Sequence, residues 1–156
     1  IISGGGPGLM QAANEGAAEG DAAERSRSVG IRIHLPFEQG ANPFVEEAFT
    51  HRTFFTRLHH FVLASDAFVV APGGIGTLEE LFEILAWSLL EINKKPCGIL
   101  NAHQYYEKLI DFLNHAAAEH FIKEEHHSIL IMEEDPQTLL ERMNGYRAPK
   151  VGKWKK

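Results

Sequence analysis

The 156-residue chain is 44% hydrophobic and 23% charged, which is typical of a soluble globular domain large enough to bury a core. Its formal net charge of −6 argues against a general nucleic-acid-binding surface, and no apolar run approaches the roughly 20 residues that cross a bilayer. A single cysteine, Cys97, excludes an intrachain disulfide. With no signal peptide visible, these features predict a cytoplasmic protein without membrane or nucleic-acid partners.

Strand and helix patterns alternate along the chain. Strand patterns cover 1–3, 29–35, 45–49, 66–71, 97–100 and 128–132, and helix patterns cover 9–19, 52–64, 77–91, 104–119 and 136–144. Short connections without hairpin signals predict an α/β fold, a Rossmann-like three-layer α/β/α arrangement with a mainly parallel sheet. No linker or repeat interrupts it, so we expect one domain over 1–156. The chain starts inside a strand pattern without an initiator methionine, so we expect a truncated N-terminal strand.

Two glycine-rich elbows, at 4–8 and 72–77, each follow a strand and open a helix. Backbone N–H groups and the positive end of a helix dipole can bind an anion there, and parallel strands bring such elbows to one edge of a sheet. The competing interpretation is a tight turn in which glycine only relieves crowding. Neither elbow matches the dinucleotide or P-loop fingerprint, so a bound phosphate would be held by backbone, as suits a monophosphate.

Thr77 and Glu80 allow two interpretations. Thr-x-x-Glu forms a capping box if Thr77 is the N-cap, with Glu80 reaching back to the first turn. Alternatively, Glu80 places a carboxylate beside the anion site, where it could orient a hydroxyl, activate water or stabilise an oxocarbenium-like sugar.

Residues 72–80, Pro-Gly-Gly-Ile-Gly-Thr-Leu-Glu-Glu, resemble the signature of the Lonely Guy (LOG) family of cytokinin-riboside 5′-monophosphate phosphoribohydrolases. Residues 4–10 resemble its first glycine loop, and 65–70, 95–96 and 99–101 resemble the segments that flank its signature. The resemblance implies hydrolysis of the N-glycosidic bond of a nucleoside 5′-monophosphate, AMP or cytokinin-type. The products would be free base and ribose 5-phosphate. It also leaves open a non-catalytic nucleotide-binding or carrier protein of the same fold.

The resemblance implies site residues position by position. Glu80 and Arg57 correspond to the catalytic pair, and Glu38 to a carboxylate that contacts the base. The implied substrate-binding residues also include Gly5, Gly6, Met10, Gly73, Gly74, Ile75, Gly76, Thr77 and Glu79. Three positions depart from the family pattern: Phe54 replaces a methionine, Leu58 replaces a lysine that contacts substrate, and Ala86 replaces a threonine. The loss of the lysine argues against a cytokinin preference.

Arg57 also stands out without the resemblance, because it lies among Phe54, Phe55 and Leu58. A cation in apolar surroundings needs an anion or a carboxylate, since an unpaired buried charge is costly. The alternatives are a structural ion pair or a stem that extends to water.

Other chemistry is not supported by the pattern. The nine histidines include the adjacent pairs His59-His60 and His126-His127 but no metal-binding motif, so neither metal nor cofactor is predicted. Lys94 and Lys95 lack the pattern of a Schiff-base lysine, which argues against a lysine decarboxylase. Apolar residues surround most of helix 77–91, so we expect a homodimer packed through this helix and the Arg57 helix, the family's usual state.

Overall fold

The computed structural model describes residues 1–20, 27–36, 40–123 and 129–149. The strands are β1 Ile2–Ser3, β2 Val29–Ile33, β3 Glu47–His51, β4 Phe68–Val70, β5 Cys97–Leu100 and β6 Leu130–Glu133. The helices are α1 Leu9–Gly20, α2 Phe54–Ala64, α3 Ile75–Leu89, α4 Glu107–Ala118 and α5 Pro136–Asn144, and a 3₁₀ helix covers Ala102–Gln104. These elements form two compact units, Ile1–Ser65 and Asp66–Lys156. The single domain over 1–156 stays a prediction.

The first unit contains a parallel sheet in the order β1-β2-β3. Its register pairs Ile2 with Val29 and Ile33 with His51. Helix α2 packs against β2 and β3, and the core includes Ile31, Ile33 and Leu58. β-Branched side chains suit the central strand because their restricted rotamers pack well on a pleated surface.

Helix α2 begins at Phe54 because Thr53 caps it. The Thr53 hydroxyl accepts a hydrogen bond from the Thr56 amide at 3.2 Å, which satisfies a donor that the first turn leaves without an intrahelical partner. Leu58, which stands in place of the family lysine, is only 6% exposed. The leucine at this position is therefore part of the core of the first unit.

The second unit contains a parallel sheet in the order β4-β5-β6. Helix α5 packs against β5 and β6, and it buries Leu139 and Met143 beside Ile131. Asp135 caps this helix by accepting a hydrogen bond from the Thr138 amide at 2.7 Å, with Pro136 in the first turn. Cys97 and Ile99 of the central strand are fully buried.

The α/β class with parallel strands is confirmed, and β5 and α5 have the predicted bounds. Several other bounds were wrong by a few residues: β2 ends at Ile33, β3 is shifted to 47–51, β4 shortens to 68–70, and β6 covers 130–133. Helix α4 begins at Glu107 instead of 104, because His103 (φ 53°) and Gln104 (φ 58°) leave the helical region. Among the described residues, no helix is long and apolar enough to cross a bilayer.

Candidate functional site

A buried polar network supports the first glycine loop. The Ser3 hydroxyl donates to Asn14 Oδ1 at 2.6 Å, and Asn14 Nδ2 donates to Ser28 Oγ at 2.8 Å. Asn42 Nδ2 donates to Asn14 Oδ1 at 3.1 Å and to the Gly6 carbonyl at 3.0 Å. All four side chains are at most 9% exposed. Buried polar groups are tolerated when they are hydrogen-bonded, and they then fix the local geometry.

The network forms hydrogen bonds with the loop backbone at Gly5. The Gly5 amide donates to Ser3 Oγ at 2.9 Å, and the Gly5 carbonyl accepts from the backbone amide of Asn42 at 2.8 Å. Gly5 has φ +73°, a left-handed conformation that glycine adopts without steric cost. The sequence pattern did not reveal this network, because its members are far apart in the chain and each resembles an ordinary loop or helix polar residue.

Arg57 projects from α2 towards the first glycine loop. Its Nε donates to the Ile31 carbonyl at 2.9 Å, and its guanidinium carbon lies 4.9 Å from the centroid of the Phe61 ring. A Cβ added to Gly4 would lie 2.9 Å from Arg57 Nη2. The guanidinium is therefore held by a backbone carbonyl and an aromatic face, with one end against Gly4.

Met10 covers the same loop. A Cβ added to Gly4 would lie 2.7 Å from Met10 Sδ, and one added to Gly6 would lie 2.6 Å from Met10 Cε. The side chain is 41% exposed, so one side of it rests on the loop and the other faces outward. Gly5, Gly6, Met10 and Arg57 thus lie at one place in the first unit.

Two histidines lie near Arg57. His51 Nε2 and His60 Nδ1 are 3.0 Å apart, and the two rings meet edge to face. Burial lowers the pKa of His51, and the nearby His60 and Arg57 lower it further. A neutral imidazole is favoured because a second positive charge beside the guanidinium is unfavourable.

The second elbow begins α3 earlier than predicted. Gly74 is the N-cap, with φ −94° and ψ −155°, and α3 starts at Ile75. The predicted capping box with Thr77 as N-cap is wrong, because Thr77 is the third helical residue and Gly74 provides no side chain to cap the helix. The first amides of α3, at Ile75, Gly76 and Thr77, therefore have no intrahelical acceptor, as at any helix start.

Gly73 lies directly under the Thr77 side chain. A Cβ added to Gly73 would lie 2.8 Å from Thr77 Cβ and still closer to the hydroxyl. Around Gly74 and Gly76, by contrast, an added Cβ would meet no atom within 4 Å. The loop is closed at Gly73 and open at Gly74 and Gly76.

The acidic residues of the signature lie in the first turns of α3. Ile75 is 82% exposed, Glu79 is exposed and Glu80 is half-buried. Carboxylates near a helix N-terminus interact favourably with its dipole. Glu80 belongs to the second unit and Arg57 to the first. Glu38, the predicted base contact, lies outside the described residues.

The described residues show no cluster of three or more His, Cys, Asp or Glu side chains arranged to hold a metal ion. Lys94 and Lys95, whose sequence context does not match a Schiff-base lysine, lie in the connection between α3 and β5.

An apolar cavity of about 510 Å³ lies beside α3 in the second unit. Its α3 wall consists of Phe82, Leu85, Ala86 and Leu89. Leu81 and Ile84, on the same helix, are buried. Helix α3 therefore has apolar side chains in the core and others along an open cavity.

Comparison with a solved structure identifies the fold. The X-ray structure of TM1055, a structural genomics target, aligns with a TM-score of 0.66 and 18% sequence identity, over 94% of this chain and 78% of that one. Parallel strands, intervening helices and glycine-rich strand-to-helix elbows define a Rossmann-like α/β protein.

The family model described as possible lysine decarboxylase matches residues 10–143. The chain therefore belongs to that family, the LOG family that its signature resembles.

Curated relatives include the probable cytokinin riboside 5′-monophosphate phosphoribohydrolase LOGL6 of Oryza sativa subsp. japonica, 45% identical over 82 residues, 53% of this chain and 33% of that protein. The cytokinin riboside 5′-monophosphate phosphoribohydrolase of Rhodococcoides fascians is 53% identical over 57 residues, 36% of this chain and 29% of that protein. LOG5 of Arabidopsis thaliana, with the same activity in its name, is 40% identical over 83 residues, 53% of this chain and 36% of that protein. The matched segments thus span about a third of these relatives.

Proposed function

We propose that this protein hydrolyses the N-glycosidic bond of a nucleoside 5′-monophosphate, AMP or cytokinin-type, to free base and ribose 5-phosphate. The observation that carries the proposal is the similarity to relatives named for this activity. The glycine elbow before α3 supports it, because a helix start with exposed amides suits a phosphate held without a metal.

The proposed roles divide between carboxylate, guanidinium and backbone. Glu80 stabilises the oxocarbenium-like sugar and positions the attacking water. Arg57 holds the phosphosugar or the departing base in line. The backbone from Gly73 to Thr77 binds the 5′-phosphate, and Ile75 and Glu79 line the substrate there. Gly5, Gly6 and Met10 of the first loop contact substrate, as does Glu38, which supplies a carboxylate for the base.

The second candidate is a protein that binds or carries a nucleotide without chemistry. The observation in its favour is the replacement of the family lysine by Leu58, which is buried. A lysine decarboxylase is not proposed, because neither Lys94 nor Lys95 has the sequence context of a Schiff-base lysine.

Release of free base from AMP and from a cytokinin riboside 5′-monophosphate, followed by chromatography, tests the proposal. Adenosine serves as the matched control, because it lacks the phosphate and should be a poor substrate. Binding of AMP without release of adenine would favour the carrier instead.

Glu80→Gln tests the carboxylate itself. We expect turnover to fall by about 10²- to 10⁴-fold, the range for loss of a positioned acid or base. Turnover is expressed per folded molecule, so that any change in melting temperature is separated from the loss of chemistry. A sharp fall in melting temperature with unchanged turnover per folded molecule would contradict the catalytic role.

A further inference from the structure

Two consecutive tyrosines bind the backbone of the signature loop. The Tyr105 hydroxyl donates to the Gly73 carbonyl at 2.9 Å, and the Tyr106 hydroxyl donates to the Ala71 carbonyl at 2.8 Å. The two rings meet edge to face with centroids 4.9 Å apart. Residues more than 30 positions away in the sequence therefore determine where the loop carbonyls point.

Tyr106 is anchored by contacts that do not involve the loop. Asn101 Oδ1 accepts a hydrogen bond from the Tyr106 amide at 2.8 Å, and the Asn101 amide donates to the Glu133 carbonyl of β6 at 2.8 Å. Tyr106 is 3% exposed and Asn101 is 3% exposed. Tyr106 is thus fixed to the sheet of the second unit independently of the loop, and the Tyr105 ring packs edge to face against it.

The Tyr105 hydrogen bond also sets the direction of an amide. In a trans peptide the C=O and N–H groups point in opposite directions. Since the Gly73 carbonyl is directed at Tyr105, the Gly74 N–H points away from it. A Cβ added to Gly74 would meet no atom within 4 Å, so the loop is open at the residue that carries this donor.

Tyr106 binds the backbone on the other side of Pro72, at the Ala71 carbonyl. The Ala71 carbonyl belongs to the peptide that precedes Pro72, which has no N–H. Its hydrogen bond therefore anchors the end of β4 and contributes no donor to the site. Tyr105 and Tyr106 together hold both sides of Pro72 in place.

We propose that Tyr105 and Tyr106 are positioning residues for the anion site of the signature loop. Tyr105 turns the Gly74 amide outward, and Tyr106 fixes the loop to the sheet. This inference rests on the proposed function, because the anion concerned is the 5′-phosphate of the substrate. It adds residues that the signature itself does not contain.

Tyr105→Phe is the first test, because Tyr105 is 56% exposed and the change removes only the hydroxyl. The dissociation constant of ribose 5-phosphate and the KM for AMP should rise about two- to tenfold, as for loss of one hydrogen bond, while kcat and melting temperature change little. Tyr106→Phe should raise the same two constants. Tyr146→Phe is the matched control, because it alters the third tyrosine of the chain and should leave both constants unchanged.

The outcomes separate this inference from the proposed function. If wild-type protein binds ribose 5-phosphate but releases no base, the hydrolase is refuted, and weaker binding in Tyr105→Phe still supports the positioning role. If both Phe variants bind as tightly as wild type, the positioning role is wrong, whether or not base is released. If wild type does not bind ribose 5-phosphate, the inference is overturned. An effect that appears equally in Tyr146→Phe would also overturn it.

Discussion

Thr77 and Gly73 occupy one small space at the start of α3. The Thr77 side chain lies where a Cβ of residue 73 would be, so the identity of one residue restricts the other. Glycine at 73 is required here by a neighbouring side chain, in addition to any need for backbone freedom. The neighbouring Gly74 has no such restriction.

Gly73→Ala should therefore destabilise the protein by about 1–3 kcal/mol, the usual cost of forcing a methyl group into occupied space. Gly74→Ala is the matched control, and we expect a change within about 0.5 kcal/mol, because the new methyl group meets no atom. Urea denaturation of the two variants measures the difference. Equal stabilities would show that Thr77 does not enforce glycine at 73.

At the scale of elements, the connection from β5 to α4 contains unfavourable backbone. His103 and Gln104 are consecutive non-glycine residues with φ 53° and 58°. Such left-handed conformations cost roughly 1–2 kcal/mol per residue. These two strained residues lie immediately before Tyr105 and Tyr106, whose hydroxyls donate to carbonyls of the signature loop.

Gln104→Gly should raise the free energy of unfolding by roughly 0.5–1 kcal/mol, because relief of the strain exceeds the entropy that glycine adds to the unfolded chain. Gln104→Ala keeps the Cβ and should give no such gain. Thermal unfolding of the two variants checks this. A loss of stability in Gln104→Gly would indicate that the Gln104 side chain makes a stabilising contact.

The sequence predicted elements better than contacts. Asp135-Pro136 marked the start of α5 because capping is local, within three residues. The same local rule failed at Thr77, where the Thr-x-x-Glu pattern is present but the helix starts at Ile75. The Ser3, Asn14, Ser28 and Asn42 network and the tyrosine contacts join residues far apart in the chain. No local pattern encodes which partner such a side chain meets.

The candidate site shows the same difference between local patterns, which the sequence reveals, and long-range contacts, which it does not. The glycine-rich motifs identified both elbows and Glu80 as candidates, and the family resemblance and the apolar neighbours identified Arg57. It could not show that Arg57 Nε would be bound by the Ile31 carbonyl, since this contact depends on how α2 packs against β2. The buried position of Leu58 likewise depends on that packing.

At the scale of the whole molecule, the exposed apolar side chains of α3 bear on whether the protein forms a dimer. Phe82 is 41% exposed, and it lines the apolar cavity with Leu85 and Leu89. Apolar area left open on a helix that also packs into the core favours association with a second copy. We therefore retain the proposal of a homodimer.

Light scattering should give a mass twice the 17.4-kDa chain mass. Phe82→Glu should yield a monomer, because a charge in an apolar interface is costly. Phe121→Glu is the matched control, because Phe121 is 87% exposed and lies outside α2 and α3. A monomeric wild type, or a dimer that persists in Phe82→Glu, would refute packing through this helix.

Cys97, in the centre of the second unit's sheet, has a consequence for measuring motion. The thiol is fully buried, and burial raises its pKa to about 12. Alkylating reagents attack the thiolate, so they can react only after β5 is exposed to solvent. Because the chain has one cysteine, the alkylation rate of unmodified protein reports how often this sheet opens. The protein thus carries its own probe of local unfolding, without any engineered label.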